Sequence, residues 1–376
     1  MTKKTRLIVL IVCVVCFLVV VPALVFYSMG DRFDFKKMKV VETGGIYVRT
    51  FPAAEKIVID SKITEKPGLF SNSIFVQSLL PNNHTVLVEK NGYYNYSKTI
   101  PVEEKQVTKL ENILLIKKDL PFEIITDEGS AGYPSPFSNQ EKFVIKNNNL
   151  YYSSSPVNSA LTAIQKTTPV VKKVVSFTLQ NDIIIWLGTD GFLYKSELTD
   201  VRTITTKINL TAIKISKTGS YKIISDNNDI FLIADGDLLY FNAKTSELEN
   251  FYNSVKNANI SPDGKNIVYY DANNIYISPI SATPFIKNTL YKSSDIITNC
   301  LWVNSSYIVL TAGSKIIISE TDYRGNINYV TLPQIIETAK GEKIDITNPQ
   351  IYFNQQSGKL YILSNNTLLL SEKITP

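Results

Sequence analysis

The strongest constraint on the fold is a paired recurrence of short apolar runs along residues 137–376. Phe143-Val144-Ile145 precedes Leu150-Tyr151-Tyr152, and Ile183-Ile184-Ile185-Trp186 precedes Phe192-Leu193-Tyr194. The pairing returns at Tyr221-Lys222-Ile223-Ile224 with Ile230-Phe231-Leu232, and at Asn266-Ile267-Val268-Tyr269 with Ile275-Tyr276-Ile277. Two further pairs are Tyr307-Ile308-Val309-Leu310 with Ile316-Ile317-Ile318, and Leu360-Tyr361-Ile362-Leu363 with Leu368-Leu369-Leu370. The first members begin at 143, 183, 221, 266, 307 and 360, giving steps of 40, 38, 45, 41 and 53 residues. A period near 40 to 45 residues with four strands per unit predicts a β-propeller of about six blades. The texture is β throughout, and the nearest approach to an amphipathic helical pattern is at 333–340.

Residues 7–27, LIVLIVCVVCFLVVVPALVFY, carry no charge and follow Lys3, Lys4 and Arg6. A bilayer core of about 30 Å needs about 20 helical residues, whereas a secretory signal's apolar core has about 7 to 15. The run therefore reads as a transmembrane helix in contact with the lipid bilayer. The competing reading is a cleaved signal, with Val21-Pro22-Ala23 as the cleavage region. Cys13 and Cys16 each follow Val, which is not the small residue of a lipid-attachment box, so they read as apolar packing groups. Arg32, Lys36, Lys37 and Lys39 compete with the basic head under the positive-inside rule. A short basic head before a long hydrophilic domain is nevertheless a signal-anchor layout. Residues 1–6 are then a cytoplasmic tail, and the bulk of this single-pass cell-membrane chain is extracytoplasmic.

The formal charge is +5, and without Lys3, Lys4 and Arg6 the exported part retains +2, with its lysines scattered among Asp and Glu. Neutralising several phosphates needs a concentrated basic stripe, so nucleic acid is not an expected partner. Beyond the anchor Cys300 is the one cysteine, which leaves no internal disulfide. The remaining length predicts two domains. The first spans 40–117, a linker spans 118–136, and the propeller spans 137–376. The linker's Phe122-Glu123-Ile124-Ile125-Thr126 portion also reads as a strand added to the second domain, and both readings stand at this point.

In the first domain, Leu79-Leu80-Pro81-Asn82-Asn83-His84-Thr85-Val86-Leu87-Val88-Glu89-Lys90-Asn91-Gly92-Tyr93 reads as a turn, a strand with Val86 and Val88 on one face, and a turn at Asn91-Gly92. The segment resembles the PEGA domain, with Asn83 where that family usually has glycine. The resemblance extends to Ile46-Tyr47-Val48-Arg49-Thr50-Phe51-Pro52 and Lys56-Ile57-Val58-Ile59-Asp60. The Pro-Glu-Gly-Ala signature is degraded to Pro52-Ala53-Ala54-Glu55. This resemblance implies a small β-sandwich with a role in envelope attachment or assembly, not an enzymatic activity. In the second domain, Asn259-Ile260-Ser261-Pro262-Asp263-Gly264-Lys265-Asn266-Ile267-Val268-Tyr269-Tyr270 resembles the blade motif of WD40-like and TolB-type propellers. Ile215-Ser216-Lys217-Thr218-Gly219-Ser220 and Phe353-Asn354-Gln355-Gln356-Ser357-Gly358-Lys359 look like weaker copies.

No catalytic, cofactor-binding or metal-binding residue emerges from the sequence. His84 is the only histidine, and the resemblance makes it part of the PEGA module's own pattern. A nucleophilic triad in the second domain would have to borrow it across a domain boundary. Asp263 reads as a turn residue because no EF-hand spacing of carboxylates surrounds it. Trp186 and Trp302 lie in apolar strands and read as packing residues. Asn209-Leu210-Thr211 and Asn365-Asn366-Thr367 match the glycosylation sequon by a pattern short enough to arise by chance. There is no phosphate-cradling glycine loop or nucleophile elbow. The expected function is an all-β, membrane-anchored binding or scaffold protein that presents its propeller to an envelope protein or cell-wall glycan. The alternative is a carboxylate-dependent glycan- or peptide-cleaving propeller enzyme, whose two carboxylates would have to converge.

Overall fold

In the computed structural model the chain forms two compact units, one of residues 1–120 with 324–328 and one of 121–323 with 329–375. The structure describes all residues except 1–2, 29, 35–37, 69, 126–142, 153–168, 181, 198–204, 227–228, 282–283 and 376.

The first unit begins with the helix Lys3–Ser28, whose 26 residues include Pro22. At 1.5 Å per residue it is about 39 Å long, enough to cross a bilayer core. Its stretch Lys3–Pro22 is long and apolar enough for a membrane anchor or a signal sequence. The helix continues past Pro22, so the proline does not end it ahead of Ala23. Arg32 closes its C-terminal end: Nη1 donates to the Tyr27 carbonyl at 2.8 Å, and the guanidinium lies 3.6 Å from the Tyr27 ring centroid. This satisfies a carbonyl that the last helical turn leaves open.

Two sheets follow. In the first, Gly44–Phe51 runs antiparallel to Ser73–Leu79 and parallel to Val107–Leu114. In the second, Ile63–Glu65, Lys56–Ile59, Asn83–Glu89 and Tyr96–Pro101 are neighbours in that order. Alternation sends Ile46, Val48, Ile57, Ile59, Val86, Val88 and Ile100 into one core between them. The face predicted for Val86 and Val88 is the buried one. At the degraded signature, Thr50 Oγ1 accepts from the Ala54 amide at 3.0 Å and donates to the Pro52 carbonyl at 3.0 Å, which holds the turn.

Tyr96–Pro101 is an edge strand, and its outer backbone groups are met by side chains from 324–328. The Asn326 amide accepts from the Thr99 N–H at 2.8 Å and donates to the Ser97 carbonyl at 2.7 Å, as a peptide group of a neighbouring strand would. Asn328 Oδ1 accepts from the Ser97 N–H at 3.1 Å. Lys98, fully buried, donates to the Asn326 carbonyl at 3.1 Å. The edge is thereby covered instead of left open to a foreign strand. Gly325 permits the approach, because its φ is +63° and a Cβ there would overlap the Thr99 carbonyl oxygen.

Among the described residues the second unit contains six sheets of three or four strands in chain order, besides one two-stranded pair. Sheet one is Phe143–Lys146, Asn149–Tyr152 and Val171–Lys172. Sheet two is Val174–Gln180, Ile183–Gly188, Leu193–Glu197 and Thr205–Lys207. Sheet three is Tyr221–Ser225, Ile230–Ala234, Asp237–Asn242 and Glu247–Tyr252, and sheet four is Asn257–Ile260, Asn266–Tyr270, Asn274–Pro279 and Asn288–Lys292. Sheet five is Ile297–Asn304, Tyr307–Ala312, Lys315–Glu320 and Tyr329–Thr331. Sheet six is Gln350–Asn354, Lys359–Ser364, Thr367–Ser371 and, as its outermost member, Phe122–Ile125. The first strand of each sheet touches the first strand of the next, from sheet one through to sheet six. Successive antiparallel sheets with adjoining inner strands, closed by a strand from the unit's own beginning, make a β-propeller.

The outermost strand of sheet six resolves the two readings of the linker. Phe122 pairs with Ser371 and Ile125 with Leu368, so this stretch belongs to the sheet, while 126–136 lie outside the described residues. The segment 333–340 forms part of a strand pair, Ile335–Glu337 with Lys343–Asp345.

The phase of the predicted repeat needs correction. The paired runs at 143 and 221 are the first and second strands of their sheets, whereas those at 183, 266, 307 and 360 are the second and third. Neighbouring strands share one texture because both faces of a sheet are covered. Ile184 and Trp186 pack toward sheet one while Ile185 and Leu187 pack toward sheet three. Such strands read as continuous apolar runs, and one hairpin of a sheet looks like the next.

The turn at Pro262-Asp263-Gly264 joins the first two strands of sheet four. Ser261 Oγ donates to Asp263 at 2.6 Å, the Gly264 N–H donates to the Ser261 carbonyl at 2.9 Å, and Gly264 has φ +69°. The copy at Asn354–Gly358 occupies the same place in sheet six, with Asn354 Oδ1 accepting from the Gln356 and Ser357 amides at 3.0 and 3.1 Å. The copy at Ser216–Gly219 turns ahead of the first strand of sheet three instead.

Two outcomes are expected. Replacing Asn326 by Ala should speed amide exchange at Thr99 and cost the first unit roughly 1–3 kcal/mol in urea unfolding, because the Thr99 N–H and the Ser97 carbonyl lose their partner. A fragment of 121–376 should unfold cooperatively, whereas one of 137–376 should melt roughly 5–10 °C lower or without cooperativity, as followed by calorimetry.

Candidate functional site

The inner strands decide which chemistry the centre of the propeller offers. Their sequences are FVIK, VVSFTLQ, YKIIS, NANI, ITNCLWVN and QIYFN, with no Asp or Glu among them. Amides dominate the polar positions of sheets four to six, whereas sheets one to three carry mostly Lys, Ser and Thr there, and several of these groups connect neighbouring sheets. Lys222 Nζ donates to Asn257 Oδ1 at 2.8 Å, Asn259 Nδ2 to the Cys300 carbonyl at 2.8 Å, and Asn299 Nδ2 to the Ile351 carbonyl at 3.3 Å.

Between sheets five and six lies a cavity of about 910 Å³. The approach to sheet five contributes Ser294, Asp295 and Ile296, and the approach to sheet six contributes Asn348 and Pro349. Asn299, Gln350 and Ile351 line it from the two inner strands. Asp295 is held by Lys315 Nζ at 2.9 Å, and this carboxylate raises the lysine's affinity for its proton above the ordinary value. Ile296 presents an apolar side chain that is 58% exposed.

A second cluster joins sheets three and four. Lys287 Nζ lies 4.3 and 4.0 Å from the ring centroids of Tyr252 and Tyr276, and donates to the Tyr252 hydroxyl at 2.6 Å. That hydrogen bond holds the Tyr252 phenol below its ordinary value, whereas burial, followed by its bonds to Tyr252 and Asp271, raises Tyr276. Asp271 accepts from Tyr276 at 3.0 Å and from the amides of Asn273 and Asn274 at 2.8 and 2.7 Å. Burial pushes this carboxyl up, but the combined hydrogen bonds outweigh it and hold the group low.

The residues singled out from the sequence do not meet in one place. His84 is buried in the first unit between Asp60 Oδ2 at 2.6 Å and the Leu80 carbonyl at 2.7 Å, while Asp60 Oδ1 accepts from the Thr85 amide. It fastens the turn that follows Lys56–Ile59 to the stretch that leads into Asn83–Glu89, at one end of the sheet. Trp186 is buried and stacks on Tyr194 at 5.4 Å, and Trp302, also buried, donates from Nε1 to the Asn259 carbonyl at 2.9 Å. Asn209 is buried with both ends of its amide bonded, to the Leu193 N–H and the Thr211 carbonyl, so the side chain a glycan would need is committed inside the fold while Leu210 and Thr211 are exposed. Cys300 is fully buried, and burial pushes its thiol far up. Among the described residues no three His, Cys, Asp or Glu side chains come together as a metal site. The cavity residues went unremarked in the sequence because isolated Ser, Asn and Gln in loops and at strand ends carry no motif.

Residues 43–116 match the PEGA domain family, in agreement with the two-sheet unit built on Gly44–Phe51. No curated protein sequence matches the chain. Solved structures similar to it are WD40-type propellers. A Myceliophteria thermophila Cps50 (Swd1) β-propeller domain is 9% identical at a TM-score of 0.38, over 77% of this chain and 93% of its own. A chain of a mitotic checkpoint complex is 12% identical at 0.42, over 77% and 81%. The C-terminal WD40 domain of Sif2 is 14% identical at 0.35, over 52% of this chain, which spans 56% of that one. The chain thus joins a segment matching the PEGA domain to a β-propeller unit.

Replacing Lys287 by Met should move the Tyr252 phenol back up toward its ordinary range. In a spectrophotometric titration near 295 nm, the earliest tyrosinate absorbance of the native protein should then shift to higher pH.

Proposed function

We propose that this chain is a single-pass membrane protein of the cell envelope whose PEGA domain and propeller lie outside the cytoplasm. In this reading the propeller is a platform that binds an envelope protein or cell-wall glycan without turning it over. The helix Lys3–Ser28 supports the anchor, and the PEGA match supports an extracellular setting, in which such domains are usually found. The observation that carries the binding role is the composition of the propeller's inner strands, rich in amides and without a carboxylate. General acid–base cleavage of a glycan requires two carboxyl groups about 5 to 10 Å apart, and these strands supply neither. An amide-lined surface instead offers paired donors and acceptors at fixed positions, which recognise without transferring protons.

Protease added to intact spheroplasts should digest the exported units and leave the N-terminal segment protected. A soluble form beginning after Ala23 would refute the anchor. Pull-down from envelope fractions should recover a partner whose retention requires 121–375. Incubation with peptidoglycan, polysaccharide and peptide pools should leave them intact. Reproducible cleavage abolished by replacing one Asp or Glu of the propeller would reverse the assignment.

A further inference from the structure

We propose that the cavity between sheets five and six binds an extended, uncharged peptide segment carrying an aliphatic side chain. This rests on the platform reading above and names the site and the chemical class of its partner. Four observations converge on it.

The cavity offers hydrogen-bonding groups that the fold leaves unused. The Ser294 hydroxyl and the Asn348 and Gln350 amides make no side-chain hydrogen bond among the described residues, and Asn299 commits only its Nδ2, to the Ile351 carbonyl. A primary amide presents a donor and an acceptor side by side, the complement of a peptide group. The same protein displays that recognition elsewhere, where the Asn326 amide takes the Thr99 N–H and the Ser97 carbonyl of an exposed strand edge. Asn348 and Gln350 flank Pro349 at the mouth of an inner strand, so both amides stand at the entrance of the cavity.

Charge and apolar surface narrow the ligand further. Asp295 is the cavity's one carboxylate, and Lys315 at 2.9 Å balances it, so the lining makes no demand for a charged partner. Ile296, Pro349 and Ile351 give an aliphatic floor, and among the described residues no aromatic ring lines the cavity. A sugar face would find no ring to stack on, whereas a Val, Ile or Leu side chain would cover the exposed Ile296. The volume of about 910 Å³ lies within the roughly 300–1,000 Å³ usual for ligand clefts.

The test uses the full chain in lipid nanodiscs. The probe is a pool of end-blocked, fluorescein-labelled hexapeptides in which Val, Ile or Leu alternates with Ser or Thr. Binding is read by anisotropy, and its location by hydrogen-exchange mass spectrometry over 294–299 and 348–351. Saturable binding with protection of both segments is expected. The same peptides N-methylated at alternate residues should bind at least about tenfold more weakly, since their side chains persist while their N–H donors are gone. N348G/Q350A should also lose about tenfold with an unchanged melting temperature, glycine being chosen because Asn348 has φ +45°.

Equal binding of N-methylated peptides would overturn the proposal. So would protection of the two segments by maltohexaose or chitohexaose but not by peptides, peptide binding that protects other segments only, or no binding in any arm. The envelope pull-down separates the two claims. If N348G/Q350A retains the envelope partner as the native chain does, the platform stands and this cavity is not its site.

Discussion

The propeller depends on one piece of chain, the pairing of Phe122–Ile125 with Thr367–Ser371. Each sheet in this unit has apolar faces that only a neighbouring sheet covers, so a row of sheets with free ends would leave two faces and an edge in water. Stitching the unit's first strand onto its last sheet joins the ends by a hydrogen-bonded ladder, which is directional in a way that apolar contact is not. Phe122 is buried at the seam, and the backbone of Glu372 donates to the Pro121 carbonyl at 2.9 Å just beyond it. Ser371 secures the same sheet from within by accepting the Leu360 N–H at 2.8 Å.

Burial on both faces follows from this arrangement and explains the composition of the second strands. In Ile183–Gly188 successive side chains serve different interfaces, and in Ile230–Ala234 Phe231 and Leu232 do likewise. Polar residues are displaced from these strands to the inner strands and the connections. The aromatic group Phe231, Tyr240, Phe251, Tyr252, Tyr269 and Tyr276 fills the junction of sheets three and four with tilted and edge-on contacts about 5 to 5.5 Å apart. Hydrogen-bonding side chains therefore collect on the inner strands and at the sheets' ends.

Much of the architecture was legible in the sequence, for reasons that differ between the units. The first unit exposes one face of each sheet, so the alternation in Thr85-Val86-Leu87-Val88 points directly to its core. In the propeller the runs announced strands and an approximate period but not their place within a sheet, because a strand covered on both faces loses its alternation. Phe122-Glu123-Ile124-Ile125 looked like a strand, yet nothing local could name a partner some 245 positions away. The Asn326 contact with Ser97 and Thr99 and the cavity at Asn348 and Gln350 were invisible for a related reason. They are built from polar loop residues whose meaning comes entirely from what the topology sets beside them.

The seam also orders events in time. As the chain is synthesised, Phe122–Ile125 emerges long before Thr367–Ser371, and it must wait through the appearance of every intervening sheet. During that interval it is an unpaired apolar strand beside a nascent row of sheets, able to complete the last sheet of a second molecule instead of its own. The last sheet cannot be completed until residue 371 is available, so a molecule cut short in its final strand keeps most of its hairpins and loses its closure.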